Sequence, residues 1–351
     1  MVERFAIIIN SSRPGRKVRL PAFPASLWSR IAPIKTAALT GISSPFGQAS
    51  GHFLFFHHDN CRLQQPNRDQ LLRSTVRAGK RASRLGARII GIGPSMAAAL
   101  GKSALLIARK LGLTLTGGFG YTAAAAVEGL QKAALLMGLN LEEAAVLVLG
   151  AAEPLGVVCT QILAGDGANY ITLVDGDSAR LELLSRRVLY DCGVACRVSM
   201  QAGRAAARAD LVVIAGNAAG AALSPHDLKP GAVVCNLCAV GELYLTIVNR
   251  RPDVMAFDEV VVRLPGEAVI GCDLGLPEGS INAWMAEAVL LALEGRYDRY
   301  FLGRELYVEK VAEMRRLSAK HGFSVSGFLA AGRYLDFAAV KRNRSCLPEL
   351  C

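Results

Sequence analysis

The chain has 351 residues, enough for about two domains at roughly 150 residues each. Hydrophobic residues make up 52% and charged residues 20%, which excludes disorder as the main state and leaves ample material for packed cores. The net charge of +11 points to anionic partners in general, but the basic residues are spread along the chain, denser at Arg13–Arg19, Arg73–Arg88 and Lys341–Arg344. No basic stretch interleaves aromatics as a base-stacking platform would, so nucleic acid is not expected as a partner. Solvated helix faces account for the charge, with a docking surface for an acidic carrier as the alternative.

In chain order, Phe5–Ile9 reads as a buried strand, and the Pro/Arg-rich segment to Pro33 as loop with short helix. Thr36–Ile42 and Gly51–Phe56 flank the turn-rich Ser43–Gly47 and predict a hairpin. Asn67–Leu85 has a basic helical pattern, Arg88–Ile92 a strand pattern, Met96–Leu111 a helical one and Leu113–Thr116 that of a short strand. An Ala-rich helix follows over Thr122–Met137, closed by Gly138. Strands are expected at Ala145–Leu149, Tyr170–Val174, Ala195–Ser199, Leu211–Ala215 and Ala232–Leu237, with helices at Leu155–Ala164 and Ser178–Tyr190. Buried strands alternating with helices at this spacing predict a doubly wound parallel sheet. Helices are expected again over Gly279–Glu294 and Glu305–His321, and the tail from Leu335 to Cys351 reads as loosely held.

Ala144–Gly165 is apolar enough to suggest a membrane span, but Glu153-Pro154 between Gly150 and Gly156 would break one at mid-bilayer. A strand, a turn and a helix start explain it better, so no transmembrane segment is expected, and peripheral membrane contact stays open. Nine irregularly spaced cysteines and no apolar leader in residues 1–20 fit a reducing, cytoplasmic setting.

The strongest chemical signal is that same turn, Gly150-Ala-Ala-Glu-Pro-Leu-Gly156, between a buried strand and a helix. Free N–H groups and the helix dipole can hold a pyrophosphate there, which makes Gly150, Ala151, Leu155 and Gly156 candidate cofactor contacts. Asp175 ends the next strand, roughly 25 residues on, where an acid bonds the ribose 2′-hydroxyl and disfavours a 2′-phosphate. NAD is therefore expected, with NADP disfavoured, and Gly216-Asn217 after the following strand should add backbone contacts. The motif departs from the usual spacing in placing Glu153 where its middle glycine would stand.

The stretch Gly118-Phe-Gly-Tyr-Thr122 through Val127–Gly138, with Ala286–Tyr297, Leu302–Glu305, Lys320–Phe323 and fainter matches at Gly41–Gly51 and Leu85–Ser95, resembles the bacterial long-chain acyl-[acyl-carrier-protein] reductase family. That family is grouped with the shikimate-dehydrogenase-like Rossmann dehydrogenases. The resemblance implies an α/β substrate domain over residues 1–121 and a Rossmann domain over 122–278. Closing helices would follow over 279–334 and pack back on the first domain, then a tail over 335–351. It also implies a cysteine that takes an acyl group from a carrier-bound thioester before NAD(P)H reduces it to an aldehyde. Trp284 stands at the matching position, and indole forms no thioester. Phe119, Asn236 and Cys238–Glu242 depart from the pattern as well, whereas Tyr121 and Thr122 persist and are candidates for polarising a substrate carbonyl. A helix-cap role is the alternative for Thr122.

Three functional readings follow. The first is an NAD(P)-dependent oxidoreductase acting on a carbonyl, alcohol or acyl-derived small molecule, without a covalent step. The second is a degenerate relative that binds nucleotide or an acyl carrier and does no chemistry. The third is thioester reduction through Cys272, which precedes the same helix. Metal is not expected: Cys235-Asn-Leu-Cys238 lacks a second pair, and His57-His58-Asp59 would face opposite ways in a strand. Glu287 suits a buried partner for an arginine as well as an acid.

Overall fold

The first apolar run forms β1 (Val2–Asn10) at the centre of a six-stranded sheet. The structure is a computed structural model that describes residues 2–10, 34–56, 68–216, 223–238, 241–297 and 306–345. β2 (Lys35–Ser44) and β3 (Gly47–Phe56) make the expected antiparallel hairpin, turning at Pro45 and Phe46. β3 lies parallel to β1, as does β4 (Ile89–Ile92), and β5 (Thr114–Thr116) extends the sheet in parallel. Helix Arg68–Arg84 precedes β4, and two helices, Pro94–Leu100 and Lys102–Leu111, precede β5. The sequence reads those two as one helix; Gly101, at φ 51 and ψ −133, breaks it in a conformation that glycine alone adopts freely.

Side-chain alternation gives this sheet two apolar faces. Ala6, Ile8, Leu54, Ile90 and Ile92 pack in one cluster with Leu71, Ala78 and Leu100. The opposite face, with Phe5, Ile7, Phe53 and Ile89, is covered by a helix from much later in the chain, Ala283–Leu293, which lies on β1, β3 and β4. Gly91 marks how near it comes: a Cβ there would lie 3.0 Å from the Ala288 Cβ.

Helix Phe119–Met137 leads to the second sheet. There β6 (Ala145–Leu149), β7 (Tyr170–Val174), β8 (Arg197–Ser199), β9 (Leu211–Ile214), β10 (Val233–Asn236) and β11 (Met255–Phe257) pair in parallel throughout. The order β8-β7-β6-β9-β10-β11 is that of a Rossmann sheet, with the direction of winding reversing between β6 and β9. Helices Pro154–Gly165, Ser178–Cys192, Ala202–Ala206 and Glu242–Arg250 connect the strands. The fold class is therefore α/β with a doubly wound parallel sheet, and the apolar stretch before Gly165 resolves into strand, turn and helix. No described helix is long and apolar enough to cross a membrane.

The chain then returns to the first sheet. After β12 (Glu259–Arg263), β13 (Gly266–Ile270) pairs antiparallel with β2 and completes the order β13-β2-β3-β1-β4-β5. β14 (Ser280–Asn282) pairs with β12, so the helix expected from Gly279 starts only at Ala283. All of that helix is buried except Trp284, which is half-buried. Helix Val308–His321 precedes the hairpin of β15 (Ser324–Ala330) and β16 (Arg333–Leu335), whose turn holds Ala331 at φ 48 and Gly332 at φ 83. The chain beyond Leu335 is not loose at first: helix Phe337–Ser345 forms, with Asp336 Oδ1 accepting the Ala339 N–H at 2.6 Å. The Phe337 ring lies edge-on to Phe328 at 6.0 Å and receives the Lys132 ammonium at 4.3 Å.

Two compact units result, residues 1–122 with 261–305 and 313–324, and residues 123–260 with 306–312 and 325–351. Residues 261–278, assigned on the sequence to the Rossmann domain, belong to the first unit because β13 hydrogen-bonds to β2. The tail joins the second unit through its own helix.

Within the second unit Arg251 ties loops together: it pairs with Asp253 at 2.6 Å and donates to the carbonyls of Leu228, at 2.9 Å, and Pro225. Arg251→Ala should lower stability by about 1–3 kcal/mol, since charged hydrogen bonds are lost and carbonyls are left unmet. A urea midpoint unchanged from the parent would contradict that role.

Candidate functional site

The glycine turn lies at the carboxyl end of β6, where the winding reverses. Gly150 adopts φ 76, and a Cβ there would lie 2.3 Å from the Gly216 backbone nitrogen. Gly156, in the first turn of helix Pro154–Gly165, presses on the same loop, since its Cβ would lie 2.2 Å from the Gly150 carbonyl oxygen. Strand, turn and helix can approach this closely only because glycines stand at the contacts. Pro154 opens the helix with its φ pre-set and no N–H to leave unpaired. Leu155 and Gly156 precede the first intrahelical bond, from the Val157 N–H to the Glu153 carbonyl at 2.9 Å, so their N–H groups lie at the positive end of the helix dipole.

Asp175 follows β7 and is half-buried; its Oδ2 accepts the Ala152 N–H at 3.2 Å and its Oδ1 the Asp177 N–H at 3.3 Å. Asp175 thus braces the turn, and each oxygen keeps a lone pair for a further donor. Gly150, Ala151, Leu155, Gly156, Asp175 and Gly216 are all brought to one end of the sheet. Asn217 lies outside the described residues. The exposed Glu153 is the N-cap of the helix, yet its carboxylate makes no capping bond. Its side chain runs past Gly216, and its charge, added to burial, pushes the Cys238 thiol up to about 11.

Burial likewise raises the Cys235 thiol, and Cys238 Sγ sits 3.5 Å from the Ile214 carbonyl. Asn236 bridges the Cys238 backbone, accepting its N–H and donating to its carbonyl, each at 3.3 Å. This C-x-x-C pair is the end of a core strand, and among the described residues no cluster of His, Cys, Asp or Glu could hold a metal ion. His57, His58 and Asp59 lie outside the described residues.

In the first unit Tyr121 and Thr122 stand in the first turn of helix Phe119–Met137. Tyr121 is 1% exposed, with its ring edge-on to Phe323 at 6.2 Å. The Thr122 hydroxyl donates to the Gly118 carbonyl at 2.6 Å. Beneath them lies Glu287, which is fully buried and, among the described residues, pairs with hydrogen-bond donors and not with an arginine: its carboxylate accepts the Thr116 hydroxyl and, at 2.7 Å, the Tyr121 N–H. The Gly120 and Gly118 N–H groups also face it. It caps a helix start from a distant segment, which sequence spacing had no means to reveal. Burial raises its pKa above the usual carboxylate value, and these donors only partly offset the rise.

Trp284 occupies the place where the resemblance implies a nucleophile. Its backbone abuts Gly118, where a Cβ would lie 2.6 Å from the Trp284 carbonyl, and its ring lies over Gly93. Phe119 packs on the core beside Gly117. Cys272 lines a cavity of 140 Å³ with Ile270, Leu274, Pro277 and Ser280, where burial, aided by Asp273, pushes the thiol up to about 11.

No family model matches the chain. Over 129 residues, 35% of its length, it is 30% identical to "Aminotransferase PigE" of Serratia sp. strain ATCC 39006, and the match covers only 15% of that protein. Solved structures with similar architecture include quinate dehydrogenase from Corynebacterium glutamicum in complex with NAD, at 14% identity and TM-score 0.36 over 91% of this chain and 99% of that one. Another is the 5-ketofructose reductase of Gluconobacter sp. strain CHM43, at 13% identity and TM-score 0.34 over 75% and 87%. A third is an N-acetyl-L-ornithine transcarbamylase, at 10% identity and TM-score 0.36 over 73% and 84%.

Proposed function

We propose that this chain is an NAD(P)-dependent oxidoreductase, favouring NAD, that acts on a carbonyl, alcohol or acyl-derived substrate without a covalent acyl-enzyme step. The observation that carries the reading is the Gly150 turn, packed tightly against Gly156 and Gly216 where the Rossmann winding reverses. The Leu155 and Gly156 N–H groups would meet the pyrophosphate, and Asp175 would accept a ribose hydroxyl on its remaining lone pairs while its charge repels a 2′-phosphate. The nicotinamide, when bound, accepts or donates the hydride. The family link to acyl-carrier substrates rests on the sequence resemblance and has no residue assigned to it. A polarising role for Thr122 requires its hydroxyl to release the Gly118 carbonyl, and full turnover in Thr122→Val would assign it to the helix alone.

Glu153 opposes the cofactor, because its carboxylate sits where the dipole would otherwise serve an anion. Glu153→Gly should therefore bind NADH about fivefold more tightly, the effect of removing about 1 kcal/mol of like-charge repulsion. Calorimetric titration of both proteins with NAD, NADH and NADPH tests this. If neither protein binds any of the three at millimolar concentration, the assignment fails.

A second reading, nucleotide binding without turnover, is favoured by Trp284, whose ring fills the place of the missing nucleophile. It is distinguished by measurable NADH affinity with no oxidation of NADH across a panel of aldehydes and ketones. Thioester reduction through Cys272 finds little support, since a thiol at about 11 stays protonated at neutral pH.

A further inference from the structure

The excess of positive charge gathers on one element of the first unit. Helix Arg68–Arg84 carries Arg73, Arg77, Lys80, Arg81 and Arg84, while its acid, Asp69, stands far off in the first turn. Its inner side, with Leu71, Thr75, Ala78 and Ala82, is buried. Arg77, Lys80, Arg81 and Arg84 are exposed on the other side, where with Ile34 they line a cavity of 440 Å³. At about 1.5 Å of rise per residue, Arg77 and Arg84 begin about 10 Å apart along the axis. Spacings of three and four residues put all four cations on one side of the helix. Lys80, Arg81 and Arg84 have no carboxylate partner among the described residues. Their field reaches the sheet: His52 on β3 titrates below the usual imidazole value, through burial first and then the charges of Arg4 and Arg81.

Two of these cations have an ordinary use. Arg81 and Arg84 stand in the last turn, where they meet the negative end of the helix dipole. The dipole gives no such reason for Arg77 and Lys80, which precede that turn. Like charges three and four residues apart repel, and the described lining of the cavity places no acid among them. The folded chain thus carries a repulsion that a bound anion removes. The described lining also holds no aromatic ring on which a nucleobase could stack. A guanidinium matches the oxygens of a phosphate in pairs, and a concave site of this volume suits a small molecule better than a flat charged surface. One phosphate alone would leave most of the row unmet.

We propose that this cavity binds a small, soluble molecule that carries two or more phosphate groups and no nucleobase. Arg81 and Arg84 hold one phosphate through paired N–H donors, and Lys80 neutralises the next as a point charge. Ile34 and the apolar stems of the arginines cover the ligand's carbon frame. None of these residues belongs to the glycine turn or to the surroundings of Thr122 and Trp284, so the site is additional to the dinucleotide reading and does not rest on it.

The test is calorimetric titration of the full chain with sodium tripolyphosphate, against sodium sulfate at matched ionic strength. Saturable binding of tripolyphosphate at one site per chain is expected, tighter than that of sulfate. The double variant Arg81→Gln, Arg84→Gln should bind it about tenfold more weakly, the effect of losing two ion pairs near a surface. Lys80→Gln, a milder change ahead of the last turn, should weaken binding about threefold and keeps the test decisive if the double variant does not fold. Equal affinity in the parent and the variants would put the anion elsewhere, as at the glycine turn, and overturns the proposal. So does an affinity for tripolyphosphate no greater than that for sulfate. Capture of the chain by phosphatidylserine vesicles that tripolyphosphate fails to displace would make the helix a membrane face, and overturns it as well.

Discussion

Glu287→Ala is expected to lower the stability of the protein by about 3–5 kcal/mol, because it leaves several buried donors without an acceptor. Glu287 is fully buried, and the Thr116 hydroxyl and Tyr121 N–H both end on its carboxylate. Gly120 shows how tightly the group is enclosed, since a Cβ there would lie 3.1 Å from Glu287 Oε2 and 3.3 Å from the Met314 side chain. Glu287→Gln keeps the volume and one acceptor, so it should cost less. Chemical denaturation of the three proteins measures both effects.

The same residue has a pH signature. Its folded pKa is raised, mainly by burial, so the folded chain holds the proton at pH values where the unfolded chain has lost it. Stability from this group is then fully present below the unfolded carboxylate value and declines as pH rises through the folded one. Relative to Glu287→Gln, the wild type should accordingly gain stability as pH falls from neutral into the mildly acidic range. A difference that is flat across that range would show that the donors, and not burial, set the ionisation.

Gly150→Ala should be nearly as damaging, and at a different place. The substituted residue would have to hold φ 76 while its Cβ lay 2.3 Å from the Gly216 nitrogen and 2.5 Å from its Cα, backbone atoms that cannot swing aside. A loss of about 2–4 kcal/mol is expected from strain and displaced backbone together, with NADH binding weakened beyond tenfold if the turn is the cofactor cradle. Gly165→Ala is the control, as a Cβ there meets nothing within 4 Å. Equal thermal midpoints for Gly150→Ala and the parent would mean that the turn does not have the shape described.

The strands of the Rossmann sheet were legible because each is a short, unbroken apolar run between turn residues, as in Val146–Leu149 or Leu211–Ile214, and burial on both faces requires that pattern. The glycine turn and Asp175 were legible for a related reason: local backbone geometry and strand endings constrain residue type. Strands β11 to β16 are not legible in the sequence: all but the seven-residue β15 have only three to five residues, too few to carry a periodicity, and β13 reads half-exposed. Helix Glu242–Arg250 buries only Tyr244 and Ile247, which leaves its pattern faint. The partners of Glu287 and His321 were invisible for another reason, since Thr116 lies 171 residues from Glu287 and Ser44 lies 277 from His321. Pairings at that range are decided by topology, which local pattern does not encode.

The late return of the chain to its first sheet has a consequence for biosynthesis. Phe5, Ile7 and Phe53 emerge from the ribosome early, but the helix that shields them, Ala283–Leu293, is translated only after every strand of the second, parallel sheet. A nascent polypeptide halted near residue 260 would carry an open oily wall, a ready target for chaperones and for self-association. Vectorial folding of the amino-terminal part is thus ruled by its last-made piece, and stalled or clipped products should be far less soluble than the finished chain.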